Sequence, residues 1–121
     1  MIYVVDDDAS VCKAAKRLMK SADLPVQTYS SAEQFLHSCK PTAADCLLVD
    51  IQMPGMNGLD LQQHLRESGI AVPVIYITAF DNDRTRDAAR NAGAAGYFSK
   101  PFDGQALLDA IKFANTHANS G

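Results

Sequence analysis

The sequence predicts a three-layer α/β/α sandwich, and three observations carry that prediction. Five short apolar runs alternate with five segments of helical period along the chain. Most of the runs are nearly continuous rather than alternating, as in parallel strands covered on both faces. Parallel strands joined through helices require right-handed crossovers, which sandwich one sheet between two helix layers. The expected domain is flavodoxin-like (βα)5, with a five-stranded parallel sheet in the order 2-1-3-4-5.

Ile2 to Val5 is the first strand-like run. After it, Val11, Ala14, Ala15, Leu18 and Ala22 recur at three- and four-residue steps as one apolar stripe. Pro25 to Tyr29 reads as the second strand. Ser30 and Glu33 then stand at capping-box spacing ahead of a helix holding Phe35 and Leu36. Cys46 to Val49 is the third strand, and Leu61 and Leu65 mark the third helix. Val72 to Ile77 is the fourth strand. The helix after it, DRTRDAARNA, offers only alanines to the core before Gly93 ends it, so it is expected to be either the least firmly packed helix or simply a short surface helix. Gly96 to Ser99 is the fifth strand. Leu107, Ile111, Ala114 and Ala118 form the fifth helical stripe, with Asp103 as its cap. No repeat or low-complexity stretch divides residues 1–121, so a single domain is expected. The closing residues NTHANSG read as a polar tail, and the last ~5 as the start of a linker to an effector domain outside this chain.

Composition excludes several classes of function. Hydrophobic residues make up 47% and charged residues 21%, values of an ordinary globular domain rather than a disordered chain. A net charge of -3 with scattered Lys and Arg supplies no basic stripe, so DNA contact by this chain itself is not expected. No apolar stretch approaches the ~20 residues that span a bilayer, and the first residues read as a strand rather than a signal peptide. The expected location is cytoplasmic, without membrane contact. Cys12, Cys39 and Cys46 are odd in number and lack metal-site spacing, so they read as small hydrophobes. His37, His64 and His117 are dispersed in helical patterns and read as packing or surface residues.

Polar residues recur where the strands end. The first strand runs into Asp6, Asp7 and Asp8, the third into Asp50, the fourth into Thr78 and the fifth into Ser99, Lys100 and Pro101. Ligand sites of open parallel sheets lie at the carboxyl ends of strands. If the first and third strands are neighbours, Asp6, Asp7 and Asp50 converge. Each pair of charges then repels by about 1 kcal/mol at 4 Å in water and about 4 at an effective dielectric of 20. Such a cluster favours a hard, oxygen-loving cation such as Mg2+, which often shares its coordination with phosphate. Thr78 and Lys100 add a hydroxyl and an ammonium opposite. A carboxylate so placed can act as a nucleophile toward phosphorus, with cationic groups neutralising the transferring oxygens. Asp-rich turns are common for capping reasons alone, so the weight falls on the joint order Asp-Asp, Asp, Thr, Lys-Pro.

The blocks YVVDDDASV, LLVDIQMPGMNGLDL, VIYITAF and AGAAGYFSKPF resemble the four signature segments of the receiver domain of two-component response regulators, across essentially the whole chain. The segment SSAEQFL is similar to the FixJ-type subgroup, whose receivers usually precede a helix-turn-helix DNA-binding domain. The resemblance implies that Asp50 is the phosphoacceptor. It implies that Asp6, Asp7, Asp50 and the backbone carbonyl of Gln52 hold Mg2+, with Mn2+ as a substitute, and that Thr78 and Lys100 bind the phosphoryl group. It places the switch aromatic at Tyr97 and a cis bond between Lys100 and Pro101. The implied donor is a sensor histidine kinase. The implied outputs are a shifted α4-β5-α5 face, a phosphorylation-dependent homodimer, and transcription regulation by DNA contact through the effector domain only. Asp8 matches none of these positions and reads as a helix cap or a carboxylate behind the ligands. Gln52 and Phe80, two residues after Asp50 and Thr78, are placed to screen attacking water. Gly55 and Gly58 are expected to allow unusual backbone angles in the turn after Asp50. Apart from self-catalysed phosphoryl transfer and autodephosphorylation, no enzyme activity is expected.

Two other readings start from the same residues. A stand-alone receiver would act as a phosphorelay shuttle or partner-binding module. A haloacid-dehalogenase-type phosphatase would use Asp6-x-Asp8 as its nucleophile motif, but such enzymes need a later acidic motif. After Lys100 only Asp103 and Asp109 are available.

Overall fold

The computed structural model describes residues 1–120, with side chains for 1–114. Ten elements alternate: β1 (Ile2–Val5), α1 (Ala9–Ser21), β2 (Val26–Tyr29), α2 (Ala32–Ser38), β3 (Cys46–Asp50), α3 (Gly58–Glu67), β4 (Val74–Thr78), α4 (Asp83–Asn91), β5 (Gly96–Ser99) and α5 (Gly104–Ser120). All strand pairings are parallel, in the order β2-β1-β3-β4-β5. The predicted sandwich and strand order are therefore present.

The central strands are buried on both faces, which is why their sequences are nearly unbroken runs. In β3, Leu47 and Val49 join Phe35, Leu61, Leu65 and Ala89 beneath α2, α3 and α4. Cys46 and Leu48 face the other way, onto Ala15, Met19, Leu107 and Ile111 of α1 and α5. Register Val5↔Val49 sets the ends of β1 and β3 side by side. β4 then follows, with Asp50↔Ile77. Everything that leaves the sheet at this end is thus directed into one region.

Several local expectations shift. β4 begins at Val74 rather than Val72: Pro73 has no N–H to donate, although its carbonyl accepts from Leu47 N–H at 2.9 Å. Ser31, not Ser30, caps α2, accepting from Gln34 N–H at 3.0 Å; Gln34 Oε1 reaches back to Ser30 N–H at 2.8 Å, so the capping pair is one residue later than expected. The inner face of α1 is carried by Ala15 and Met19, with Cys12 partly buried, while Ala14 is exposed. Buried Thr85 joins Ala89 on the inner face of α4, so that face is not alanine alone. The Thr85 hydroxyl lies 3.2 Å from Phe80 O and 2.6 Å from Asn82 Oδ1, which anchors the helix start. Asp103 Oδ1 accepts from Gln105 N–H at 3.3 Å at the head of α5. Helical backbone extends to Ser120, so residues 115–120, read from the sequence as a polar tail and the start of a linker, continue α5; the side chains of His117 and Ala118, and Gly121 altogether, lie outside the described residues.

Candidate functional site

Asp6 follows β1 and Asp50 ends β3, so the register of these two strands makes their carboxylates neighbours. Asp6 is 1% exposed and Asp50 5%, whereas Asp7 turns to solvent. One oxygen from each of Asp6, Asp7 and Asp50 lies within 4.8 Å of the others. The loops hold these side chains locally. Asp6 Oδ1 accepts from Asp8 N–H at 2.9 Å, and Asp50 Oδ1 from Gln52 N–H at 3.0 Å. Asp8 itself caps α1, accepting from Ser10 N–H.

Lys100 enters from beyond β5. Its backbone N–H donates to Thr78 O at 2.7 Å, and its Nζ lies 2.9 Å from Asp6 Oδ2 and 3.0 Å from Asp50 Oδ2. Burial disfavours a charged lysine here, but hydrogen bonds and charge from Asp6 and Asp50 outweigh it and hold the Lys100 pKa above its usual range. Burial also pushes the Asp6 carboxyl up, against the lowering by Lys100 and Asp8 N–H, and the Asp50 charge adds to the rise. Asp6 Oδ2 is at ion-pair distance from Lys100, yet no donor meets it with hydrogen-bonding geometry. Three carboxylates against one ammonium leave negative charge uncompensated. An all-oxygen donor set with a buried, incompletely partnered oxygen suits a hard divalent cation.

The other sequence-predicted residues fall around this cluster. Thr78 is fully buried at the end of β4, and its Oγ1 accepts from Phe80 N–H at 3.0 Å, leaving the hydroxyl proton for donation. The Lys100–Pro101 bond is cis, as expected. Gln52 is exposed on the loop after Asp50, and Phe80 is 63% exposed. Tyr97 does not join the cluster; its hydroxyl donates to Asp81 Oδ1 at 2.9 Å. Gly58 differs from expectation. Its φ is not positive, but a Cβ there would lie 2.5 Å from Asp50 O, so glycine is required by closeness of approach. Gly55, at φ 74°, does need its conformational freedom. Cys12 Sγ lies 3.3 Å from Asp6 O, a small half-buried donor behind the site.

Sequence reasoning missed Asp81 and Arg86, which pair with each other around Tyr97. It also missed the reach of Glu33 from α2 to Met56 N–H, at 3.1 Å. The first lay in a run of charges typical of any solvated helix start, and the second joins residues 23 apart.

Fold and site together define an open parallel α/β domain whose strand ends form an acidic pocket closed by one lysine. The family follows from comparison. Residues 2–112 match the family described as response regulator receiver domain, and the chain belongs to it. It is 40% identical to the response regulator protein TodT of Pseudomonas putida over 114 residues, covering 94% of this chain and 50% of TodT. Among the solved structures it resembles are two response regulators. The response regulator StyR has a TM-score of 0.89 at 38% identity, covering 98% of this chain and 60% of StyR. FixJ-N has 0.86 at 30% identity, covering 96% and 93% respectively. The FixJ-type resemblance of the sequence is thus matched in structure, and the fold is that of a phosphorylation-dependent signalling domain. The chain spans about half the length of the curated relatives it matches. Among the described residues no helix is long and apolar enough to cross a membrane.

Proposed function

We propose that this domain takes up one phosphoryl group on the Asp50 carboxylate from a phosphohistidine of a sensor histidine kinase. The observation that carries this reading is Asp50 itself. It is a nearly buried carboxylate with one oxygen held by Gln52 N–H and the other by Lys100 Nζ, within a carboxylate-rich pocket. One Asp50 oxygen forms a bond to phosphorus as the phosphorus–nitrogen bond of the donor breaks, and that electron pair stays on the imidazole nitrogen. Lys100 and the Thr78 hydroxyl then meet the phosphoryl oxygens as charge redistributes over them. Asp6, Asp7, Asp50 and the Gln52 carbonyl would hold Mg2+, or Mn2+ in its place. When bound, the cation offsets the charge of the carboxylates and of the transferring group.

The output follows from the residues beyond the pocket. A phosphoryl group draws Thr78 toward it and vacates space beneath β4, into which Tyr97 can turn once it leaves Asp81. α4, β5 and α5 then present a changed face, for a second copy or for an effector domain reached through the linker after α5. The half-length match to relatives such as the transcriptional regulatory protein FixJ of Azorhizobium caulinodans favours an attached DNA-binding output over a stand-alone shuttle. On this reading residues 1–121 are one cytoplasmic receiver domain, and its only catalysis acts on its own phosphate.

The test is Asp50→Asn. Wild-type protein incubated with labelled acetyl phosphate and Mg2+ takes up label at up to one per chain, and the variant takes up none while keeping its circular dichroism. Equal labelling of the two proteins overturns the assignment. Steady turnover of a phosphate ester by the wild type would favour a phosphatase.

A further inference from the structure

We infer that Glu33 is a positioning residue for the metal side of this site: its carboxylate is a strut from α2 that fixes the loop between β3 and α3. The inference rests on the function proposed above. That loop carries Gln52, and it is held from within at both ends. Ile51 and Met53 are buried in the core, Gly58 N–H donates to Ile51 O at 3.2 Å, and Asn57 forms a reciprocal capping box with Asp60. Between these anchors Pro54 and Gly55 are exposed, and Gly55 turns through φ 74°. The stretch is crossed by a single long-range contact among the hydrogen bonds of the described side chains: Glu33 Oε1 accepts from Met56 N–H at 3.1 Å.

The fit is close on both sides. A Cβ on Gly55 would lie 3.3 Å from both Glu33 oxygens, so the glycine leaves room for the carboxylate as well as making the turn. Glu33 stands in the first turn of α2, whose cap Ser31 and back-reaching Gln34 fix the helix start. Its rotamer is therefore launched from a rigid end. A side chain that locks a loop bearing a ligand acts as outer-shell partners of metal sites do, by orienting a donor it does not itself supply.

Hydrogen exchange of the Met56 amide and Mg2+ titration by calorimetry, on wild type, Glu33→Ala and Glu33→Gln, test this. Glutamine keeps an acceptor at the same reach and loses the charge. Losing one such hydrogen bond corresponds to about fivefold in an equilibrium. The expected result is about fivefold faster Met56 exchange without metal and about fivefold weaker Mg2+ binding in Glu33→Ala, both within about twofold of wild type in Glu33→Gln. Wild-type exchange and affinity in Glu33→Ala overturn the strut. So does a glutamine variant that behaves like alanine, since the carboxylate would then act by charge alone. If wild-type protein itself binds no Mg2+, the proposed metal site fails, while the Met56 exchange still decides whether the strut exists.

Discussion

The Tyr97 hydroxyl donates to Asp81 Oδ1 at 2.9 Å, tying β5 to the loop ahead of α4. Arg86 Nη2, from α4, closes on the same carboxylate at 3.0 and 2.9 Å. The Tyr97 hydrogen bond first, and Arg86 second, hold the Asp81 carboxyl below its ordinary range. A lowered carboxyl pKa adds stability above the ordinary carboxylate value, and that contribution is lost as pH falls through the folded value. The contact is therefore intact at neutral pH. In Tyr97→Phe the Asp81 pKa is expected to rise toward the ordinary value while the fold persists. A carboxyl-carbon NMR titration measures it, and an unchanged midpoint would mean that the tyrosine does not hold Asp81.

Glycines 58 and 69 separate two reasons for having no side chain. A Cβ on Gly58 would meet Asp50 O at 2.5 Å and Tyr76 Cε1 at 3.1 Å, so alanine there must displace backbone next to the acidic pocket. Gly69 has open space around it but sits at φ 77°. Gly58→Ala is expected to cost about 3 kcal/mol or more and to disturb the Asp50 amide signals. Gly69→Ala should cost about 1 kcal/mol with the pocket unaffected. Urea unfolding gives both values, and similar costs would show that the close approach at Gly58 can relax.

The contrast between Gly58 and Gly55 shows what the sequence discloses. Where the strands stop, and with them the Asp, Thr and Lys positions, is legible because burial on both faces forces continuous apolar runs, whereas the sheet order comes from the general pattern of open parallel sheets and not from the runs themselves. A tight approach such as Gly58 to Asp50 O leaves no local pattern and is indistinguishable in sequence from a turn glycine. The same holds for the Glu33 reach to Met56 and the Asp81 contact with Tyr97, which depend on elements 23 and 16 residues apart. On α1 the expected stripe holds at Ala15, Leu18 and Ala22 and fails at Ala14, because alanine is as common on exposed helix as in core, while fully buried Met19 lies outside that stripe.

Cys46 gives a stability signature in alkali. Burial pushes its thiol up to about 12, so the folded protein keeps it neutral where the unfolded chain ionises it. A raised thiol pKa contributes stability that is complete below the ordinary value near 9 and is lost as pH rises toward 12. The loss runs at about 1.4 kcal/mol per pH unit. Cys46→Ala lacks it, so the stability gap between wild type and variant is expected to narrow by that slope above about pH 9. Paired urea titrations across this range check it, and parallel curves would show that the thiol ionises in the folded state.

Lys100 compensates two carboxylates at once, which makes its loss dependent on its partners. Its side chain is 14% exposed and those of Asp6 and Asp50 are 0% and 7%, so Lys100→Ala leaves two shielded negative groups facing each other. Breaking a buried pair costs roughly 3–5 kcal/mol, and partial solvent access at Lys100 reduces the expectation to about 2–3. Asp50→Asn removes one of the stranded charges. The double variant is therefore expected to be more stable than Lys100→Ala alone, a non-additivity of about 1–2 kcal/mol. A divalent cation held by the same carboxylates supplies the missing positive charge and stabilises by mass action, so millimolar Mg2+ should restore Lys100→Ala more than it raises the double variant. Urea unfolding of the four proteins with and without Mg2+ measures each quantity. Strictly additive losses would show that Asp6 and Asp50 do not share Lys100 as their common counter-charge.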